Sequence, residues 1–287
     1  MIDTRFTRQF GLTCPVMLAP MPGMADGLLA SAVAQAGGLG MIGVGQRDAG
    51  WIAAQFGAAG REKVGCGFLT SHLAQSPELL DLALSRQPRA IFLTHGDPRP
   101  FAPRIAQAQI PLICQVQSLE GAALAVDAGA DVIVAQGGSA TGPTGVRTTL
   151  ALLPEVADFL HREAHDTVLL AAGGIADSRG LAACLVMGAD GVVIGTRLWA
   201  SVEGRVSDTQ MQQALRATGD DTIQTLQSDT GCSEPIATRY LANTRSTCPA
   251  GEGIGLIRDF PPVADILNTL TDRAGRLMIH AQRKVIP

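Results

Sequence analysis

The sequence predicts an α/β fold, a (β/α)8 barrel of the TIM type with a small insertion before its closing helix. Short apolar segments alternate with longer amphipathic segments, and the starts of the apolar segments lie roughly 20–26 residues apart with one longer gap. The chain has 287 residues, of which 46% are hydrophobic, enough for one full core. An open doubly wound sheet is the alternative, but it usually has fewer strands, and its G-x-G-x-x-G fingerprint after the first strand is absent.

The apolar segments are expected to be the barrel strands. Several of them are apolar without alternation, which is typical of strands buried on both faces of a parallel sheet. The predicted strands are Val16–Pro20, Leu39–Val44, Val64–Leu69, Ala90–Thr94, Pro111–Val116, Asp131–Gln136, Val168–Ala172 and Gly191–Gly195.

The segments between the strands carry apolar residues every three to four positions, which predicts helices. Examples of these predicted helices are Asp26–Ala36, Pro77–Ser85, Leu119–Ala128 and Ser178–Met187. Three of them are followed by similar sequences, in which Gly37, Gly129 and Gly188 come just before the next strand. Each glycine is expected to end its helix in the left-handed conformation.

The chain changes character after the eighth strand. Residues 1–200 are expected to form the barrel, and residues 201–260, which are polar with weak helical periodicity, a small irregular or helical subdomain. Residues 261–287 are amphipathic again, and they are predicted to be the closing helix of the barrel.

Charge and apolar patterning exclude several classes of protein. The formal net charge is −4, the isoelectric point is about 5.7, and no cluster of Lys and Arg stands out, so no nucleic-acid partner is expected. No signal-like or membrane-spanning segment is visible, which predicts a cytoplasmic protein without a membrane partner.

The six cysteines form no C-x-x-C pair, and no His lies at metal-binding spacing from them. We therefore expect buried, reduced thiols and no metal site. The cysteines are Cys14, Cys66, Cys114, Cys184, Cys232 and Cys248.

Two glycine-containing pairs predict a phosphate site. Gly173-Gly174 follows the seventh strand and Gly195-Thr196 follows the eighth, and these two loops commonly bind phosphate in such barrels. Glycine lets backbone N–H groups approach the phosphate oxygens, a helix N-terminus behind them adds partial positive charge, and the Thr196 hydroxyl can donate a further hydrogen bond. The alternative is that these glycines only relieve crowding at the strand ends.

Several motifs resemble, in order and spacing, the nitronate monooxygenase (2-nitropropane dioxygenase) family. The resemblance extends from about Thr4 to Asn243. Its motifs are Ala19-Pro20-Met21, Ala36-Gly37-Gly38-Leu39-Gly40, Ala128-Gly129-Ala130-Asp131 with Ala135-Gln136-Gly137, Ala171 to Gly180, Gly188-Ala189-Asp190-Gly191 with Gly195-Thr196-Arg197, and Ala237 to Asn243.

The resemblance implies noncovalent FMN. It implies that the two glycine-containing pairs hold the FMN phosphate and that Ala19, Pro20 and Met21 lie along the isoalloxazine ring. Gln136 is expected to hydrogen-bond the ribityl chain or the ring edge. Gln115 is expected to contact the flavin, with a loop-capping amide as the alternative.

The sixth loop departs from the family. Relatives usually read E-A-G-G-H-x-G there, whereas this chain has Ser139 at the acidic position and Pro143 at the position of the catalytic His. A third-strand Asn is also missing, with Gly67 nearest to it. Pro143 cannot accept a proton, and a well-placed base contributes about 10²–10⁴-fold. The sequence therefore predicts that nitronates are used far better than neutral nitroalkanes.

His95, which follows the fourth strand, is the candidate replacement for the missing base. Its imidazole suits proton transfer near neutral pH, and the alternative is a loop residue that bonds its own turn. His72 is a weaker candidate. Because Pro143 replaces the usual His, a flavin-binding protein with altered activity is a further functional alternative.

The leading function is oxidation of alkyl nitronates by O2 on FMN. The alternative is an FMN-dependent reductase that uses NAD(P)H on quinones or enoyl thioesters. A small-molecule substrate is expected in either case, and self-association is left open. A barrel without flavin is disfavoured, because no Lys lies at a strand end and no Cys lies in loop six.

Overall fold

The computed structural model describes residues 2–140, 146–227, 236–241 and 250–285. Eight parallel strands lie in the order β1-β8-β7-β6-β5-β4-β3-β2, and a parallel bridge from Met17 to Leu39 joins the two ends of this sheet. The Leu18 N–H donates to the Leu39 carbonyl across 2.9 Å, and the Leu39 N–H donates to the Val16 carbonyl across 3.0 Å. The predicted (β/α)8 barrel is confirmed.

Each barrel strand lies inside the segment predicted for it. The strands are β1 (Val16–Leu18), β2 (Met41–Gly43), β3 (Gly65–Leu69), β4 (Ile91–Thr94), β5 (Leu112–Val116), β6 (Val132–Gln136), β7 (Val168–Ala172) and β8 (Gly191–Ile194).

The helices follow the strands around the barrel. They are α1 (Arg5–Phe10), α2 (Gly27–Gln35), α3 (Ala49–Ala59), α4 (Thr70–Gln75), α5 (Glu78–Ser85), α6 (Ala102–Gln107), α7 (Leu119–Asp127), α8 (Thr149–Glu163), α9 (Ser178–Val186), α10 (Thr196–Trp199), α11 (Asp208–Arg216) and α12 (Val263–Val285). The predicted helices correspond to α2, α5, α7 and α9. Gly37, Gly129 and Gly188 follow α2, α7 and α9 with φ of 89°, 78° and 100°, as expected for left-handed residues that end helices.

The amino-terminal end of the barrel is closed by α1, which the sequence did not predict. Phe6 and Phe10 on this helix are buried in the same cluster as the inward-facing strand residues Met41 and Phe92. Arg5 forms a salt bridge of 2.7 Å with Asp190, the residue before β8. The packed interior leaves the carboxyl ends of the strands as the place for a site.

The segment after β8 contains a hairpin that its weak helical periodicity did not indicate. Strand β9 (Thr222–Gln227) pairs antiparallel with β10 (Ile236–Leu241), and a 3-10 turn follows at Glu252–Leu256. Helix α12 then packs against α9 and α2. The division of residues 201–260 from the barrel stays a prediction. Within the described ranges, no helix is both long enough and apolar enough to cross a membrane.

Candidate active site

A small cavity opens at the carboxyl ends of β1, β5, β6, β7 and β8, with a volume of about 60 Å³. We call it the glycine cavity. The residues predicted to contact a cofactor line it, except for Pro20. They are Ala19, Met21, Gln115, Gln136, Gly173, Gly174, Gly195 and Thr196.

The two glycines after β7 have a conformation and a position that exclude other residues. Gly173 and Gly174 have φ of 107° and 73°, values that side-chain-bearing residues rarely adopt. A Cβ on Gly173 would lie 2.8 Å from the carbonyl oxygen of Gly137, and one on Gly174 would lie 3.1 Å from the Ser139 Cβ. The glycines therefore relieve crowding between the loop after β7 and loop six. Without side chains at these positions, loop six can pack directly against the cavity.

Thr149 at the start of α8 fixes the loop after β7. Its hydroxyl lies 3.2 Å from the Ala172 carbonyl and 3.0 Å from the Gly173 carbonyl, and its single proton is shared between these two oxygens. Because both carbonyls are turned toward Thr149, the peptide bonds after β7 have a fixed orientation. No motif in the sequence identified Thr149.

Among the described residues of the insertion, one N–H group bonds the hydroxyl of Thr196. The Gly251 N–H donates to Thr196 Oγ1 across 3.1 Å, so the hydroxyl proton is left to donate to another group. Gly253 lines the glycine cavity, and the Glu252 N–H donates to the Ser139 carbonyl across 3.0 Å. The 3-10 turn thus completes the cavity, which sequence reasoning missed because it carries no recognisable motif.

Arg197 follows Thr196 but turns away from the cavity. Its guanidinium is buried, with Nη1 2.9 Å from Asp259 Oδ1 and Nη2 2.8 Å from the Asp259 carbonyl. Burial lowers the pKa of Arg197, and the hydrogen bond and charge of Asp259 oppose that shift. Among the described residues, the cavity lining contains neither Lys nor Arg, so an anion there would depend on backbone N–H groups and on Thr196.

The N-terminus of α9, which follows the loop after β7, is capped by a side chain of the chain itself. Asp177 caps α9, and its Oδ1 accepts hydrogen bonds from the N–H groups of Arg179 and Gly180 across 2.9 and 3.2 Å. The positive end of the α9 dipole therefore already faces a carboxylate. The predicted contribution of a helix N-terminus to phosphate binding stays a prediction, and α10, which begins at Thr196, is the other helix that follows a glycine pair.

Pro20 packs against Gly67 of β3 and does not line the cavity. A Cβ on Gly67 would lie 2.4 Å from the Pro20 Cβ, so no larger residue fits at position 67 while Pro20 keeps its place. This contact gives a physical reason for the absence of the third-strand Asn. Ala19 and Met21 flank Pro20 and reach the cavity, with the Met21 N–H 2.8 Å from the Ala19 carbonyl.

Two glutamine contacts cross the strand ends. Gln115 Nε2 donates to Thr94 Oγ1 across 3.0 Å, and Gln117 Nε2 donates to Gln136 Oε1 across 2.8 Å. Gln136 is buried, and its Oε1 is engaged, so its Nε2 is the group that can donate into the cavity. Gln117, which sequence reasoning did not select, fixes the orientation of Gln136.

His95 lies in a second, larger space, the rim chamber, with a volume of about 460 Å³. Gln115 lines both spaces. His95 has φ of 62°, an unfavourable value for a residue with a side chain, and such strain concentrates at functional sites. His72 belongs to α4 and lines neither space, and Pro143 lies outside the described residues.

Comparison with known proteins agrees with this geometry. The family model described as nitronate monooxygenase matches residues 69–244. A nitronate monooxygenase of Neurospora crassa is 28% identical over 91% of this chain and 89% of the relative. The nitronate monooxygenase npaC of Metarhizium robertsii is 34% identical over 79% of this chain and 72% of its own length.

Among solved structures, FabK from Thermotoga maritima superposes with a TM-score of 0.90 at 24% identity, covering 99% of this chain and 100% of that one. At that identity the match supports the fold alone. The family model covers β4 to β8 and the loops that follow these strands, which line most of both spaces. The chain therefore belongs to the nitronate monooxygenase family, a family of flavoproteins, and is an oxidoreductase.

Proposed function

We propose that the chain binds FMN noncovalently and oxidises alkyl nitronates with O2. The observation that carries this proposal is the convergence of Gly173, Gly174, Gly195 and Thr196 on one cavity. Loops in this position of the barrel commonly bind phosphate. The rim chamber beside the cavity offers space for a substrate.

The glycine cavity fits the phosphate end of FMN. Its volume is about 60 Å³, and one water molecule requires about 10–15 Å³. The cavity therefore has room for a group of several heavy atoms, such as a phosphate. Within the described part of the chain, the Thr196 hydroxyl accepts from the Gly251 N–H, which leaves its proton to donate to a phosphate oxygen. Ala19 and Met21 would lie along the ring, and the Gln136 amide would bond the ribityl chain or the ring edge. FMN, when bound, supplies the redox chemistry with O2.

The side chains around the mouth would position the substrate. Gln115 lines both spaces and would present its amide to the nitronate oxygens. His95, on the rim chamber, would donate a hydrogen bond to an anionic head group or accept a proton from a neutral one. Because a nitronate has already lost its carbon proton, its oxidation does not depend on the His that Pro143 replaces.

The test begins with the visible absorption spectrum of the purified protein and the identity of any chromophore released on denaturation. We expect a flavin spectrum and FMN in the supernatant. A colourless protein that also fails to take up added FMN would contradict the proposal.

The reaction is then tested by O2 consumption with butyl-1-nitronate and with neutral 1-nitrobutane at the same concentration. We expect the nitronate to react far faster. Comparable rates would show that a base has replaced the missing His, and His95→Ala would identify it.

NAD(P)H oxidation with a quinone or an enoyl thioester, without nitronate turnover, would support the reductase alternative. Cytoplasmic location, the co-substrate and self-association stay predictions.

A further inference from the structure

The rim chamber extends outside the barrel wall. Side chains alternate along a strand, and Thr94 and Gln115 meet at 3.0 Å on the inner side of β4 and β5. Leu93, Cys114 and Val116 therefore face outward, toward the surrounding helices. All three line the chamber, so the chamber continues from the mouth into the space between these strands and α7.

The deep part of the chamber is apolar. Leu93, Cys114 and Val116 form one wall, and Leu124 and Ala125 of α7 form the other. Burial raises the pKa of the Cys114 thiol to about 12, so the thiol stays neutral at physiological pH. These residues offer no charge to a ligand, and an aliphatic chain between the two walls would lose contact with water.

The rim of the chamber is polar and acidic. Asp97 lines it, and the hydrogen bond from Arg99 holds the pKa of this carboxyl below its usual range, although partial burial opposes the shift. The exposed Glu120 adds a second carboxylate. Among the described lining residues there is neither Lys nor Arg. Arg99 compensates the charge of Asp97, so the exposed Glu120 is the carboxylate that would repel a ligand carrying a second negative charge into the chamber.

We propose that the rim chamber is a subsite for an unbranched, uncharged aliphatic chain, which enters past Gln115 while the polar head group stays at the mouth. The nature of that head group rests on the proposed function, whereas the binding of the chain does not. Burial of each further methylene is expected to strengthen binding about fourfold until the chamber is full.

Binding is tested without turnover by titrating FMN-loaded protein with 1-butanol, 1-hexanol and 1-octanol in a calorimeter. The dissociation constant should fall with chain length, with a negative heat-capacity change, as expected for apolar burial. Hexanedioate, which carries a second carboxylate at the far end of the chain, should bind more weakly than hexanoate. A dissociation constant that does not change with chain length would overturn the proposal.

Variants of α7 locate the subsite. Ala125→Leu fills the deep end, and it should abolish the gain for the longer alcohols. Ala123→Leu is the matched control, since Ala123 lies on the same helix and does not line the chamber. Leu124→Ala removes one wall and should reduce the gain per methylene, which keeps the test valid if Ala125→Leu fails to fold. Identical chain-length series for both leucine variants would place the chain elsewhere.

The reaction provides the second readout. If nitronates are substrates, kcat/KM should rise along the series from ethyl to hexyl nitronate, and the conjugate base of 3-nitropropionate should react poorly. If no nitronate reacts but the alcohol series still depends on chain length and on Ala125, the proposed function fails and the subsite stands. If nitronates react with equal kcat/KM at all chain lengths, the subsite fails and the proposed function stands.

Discussion

The backbone N–H of Gly251 donates a hydrogen bond to the hydroxyl of Thr196 across 3.1 Å. This contact joins a residue 55 positions further along the chain to the loop after β8. It shows that the segment inserted before α12 is part of the candidate site, because the same 3-10 turn places Gly253 at the glycine cavity.

Thr196 should contribute to FMN affinity through its hydroxyl proton. We expect Thr196→Val to weaken FMN binding about 10–100-fold, which corresponds to the about 1.5–3 kcal/mol of a hydrogen bond to a charged group. Thr196→Ser keeps the hydroxyl and should remain close to the wild type. Quenching of FMN fluorescence on titration into apoprotein measures the dissociation constants. Equal affinities for the valine and serine variants would show that the hydroxyl does not face the phosphate.

Gly173→Ala should abolish FMN binding, and Gly129→Ala separates that effect from backbone strain. Both glycines have positive φ, and the added methyl should cost about 1–2 kcal/mol of stability at each. At Gly129 the Cβ meets nothing within 4 Å, whereas at Gly173 it meets the Gly137 oxygen at 2.8 Å and Thr149 Oγ1 at 3.0 Å. The midpoint of thermal unfolding, which should fall in both variants, measures the backbone strain. The flavin content, which should be lost in Gly173→Ala alone, measures FMN binding. Full flavin content in Gly173→Ala would contradict the expected role of this loop.

The strands and the convergence of the glycine pairs could be predicted because they depend on local pattern. Apolar segments specify buried parallel strands, and the order of strands in a barrel brings the ends of β7 and β8 together. The contact between Gln117 and Gln136 could not be predicted in the same way. It depends on the register of β5 against β6 and on side-chain rotamers, neither of which a single sequence specifies.

The insertion was the least predictable part for the same reason. The pairing of β9 with β10 and the approach of Gly251 to Thr196 depend on tertiary contacts with the barrel rather than on a local motif. Arg197 is a further example: it follows Thr196 in the sequence, but only the tertiary structure shows that its side chain is buried and bound by Asp259.

Arg239 should hold the insertion against loop six. Its guanidinium lies 3.0 Å from Glu252 Oε1, 3.1 Å from Thr222 Oγ1 and 3.4 Å from the Gly138 carbonyl, so one side chain connects β9, the 3-10 turn and loop six. Lysine cannot reproduce this forked set of contacts, because its ammonium is a single point charge. We expect Arg239→Lys and Arg239→Met both to weaken FMN binding at least tenfold, an order-of-magnitude expectation from the loss of charge-assisted hydrogen bonds.

Limited proteolysis is the second measurement for Arg239. Loss of the contacts should expose the insertion, so cleavage within residues 201–260 should accelerate in both variants while the barrel stays intact. Arg258→Met is the control, since Arg258 donates only to the neighbouring Ile257 carbonyl among the contacts described for it. If Arg239→Lys retained wild-type FMN affinity and proteolysis, the forked geometry would be unimportant.

Asp177 should make the structure around the loop after β7 sensitive to acid. Partial burial raises the pKa of this carboxyl, but hydrogen bonds from Arg179 and from the Gly180 N–H outweigh burial, and the net pKa is lowered. A group with a lowered folded pKa stabilises the fold above its unfolded pKa of about 3.9, and that stabilisation is lost as the pH falls through the folded pKa.

Asp177→Asn keeps a good helix cap but cannot ionise. The difference in thermal midpoint between wild type and this variant should therefore be largest near pH 7 and should shrink as the pH falls from about 5 to 3. Arg179→Gln, which removes the charged partner, should reduce the difference at pH 7. A difference that stays constant over this range would show that ionisation of Asp177 contributes nothing to stability.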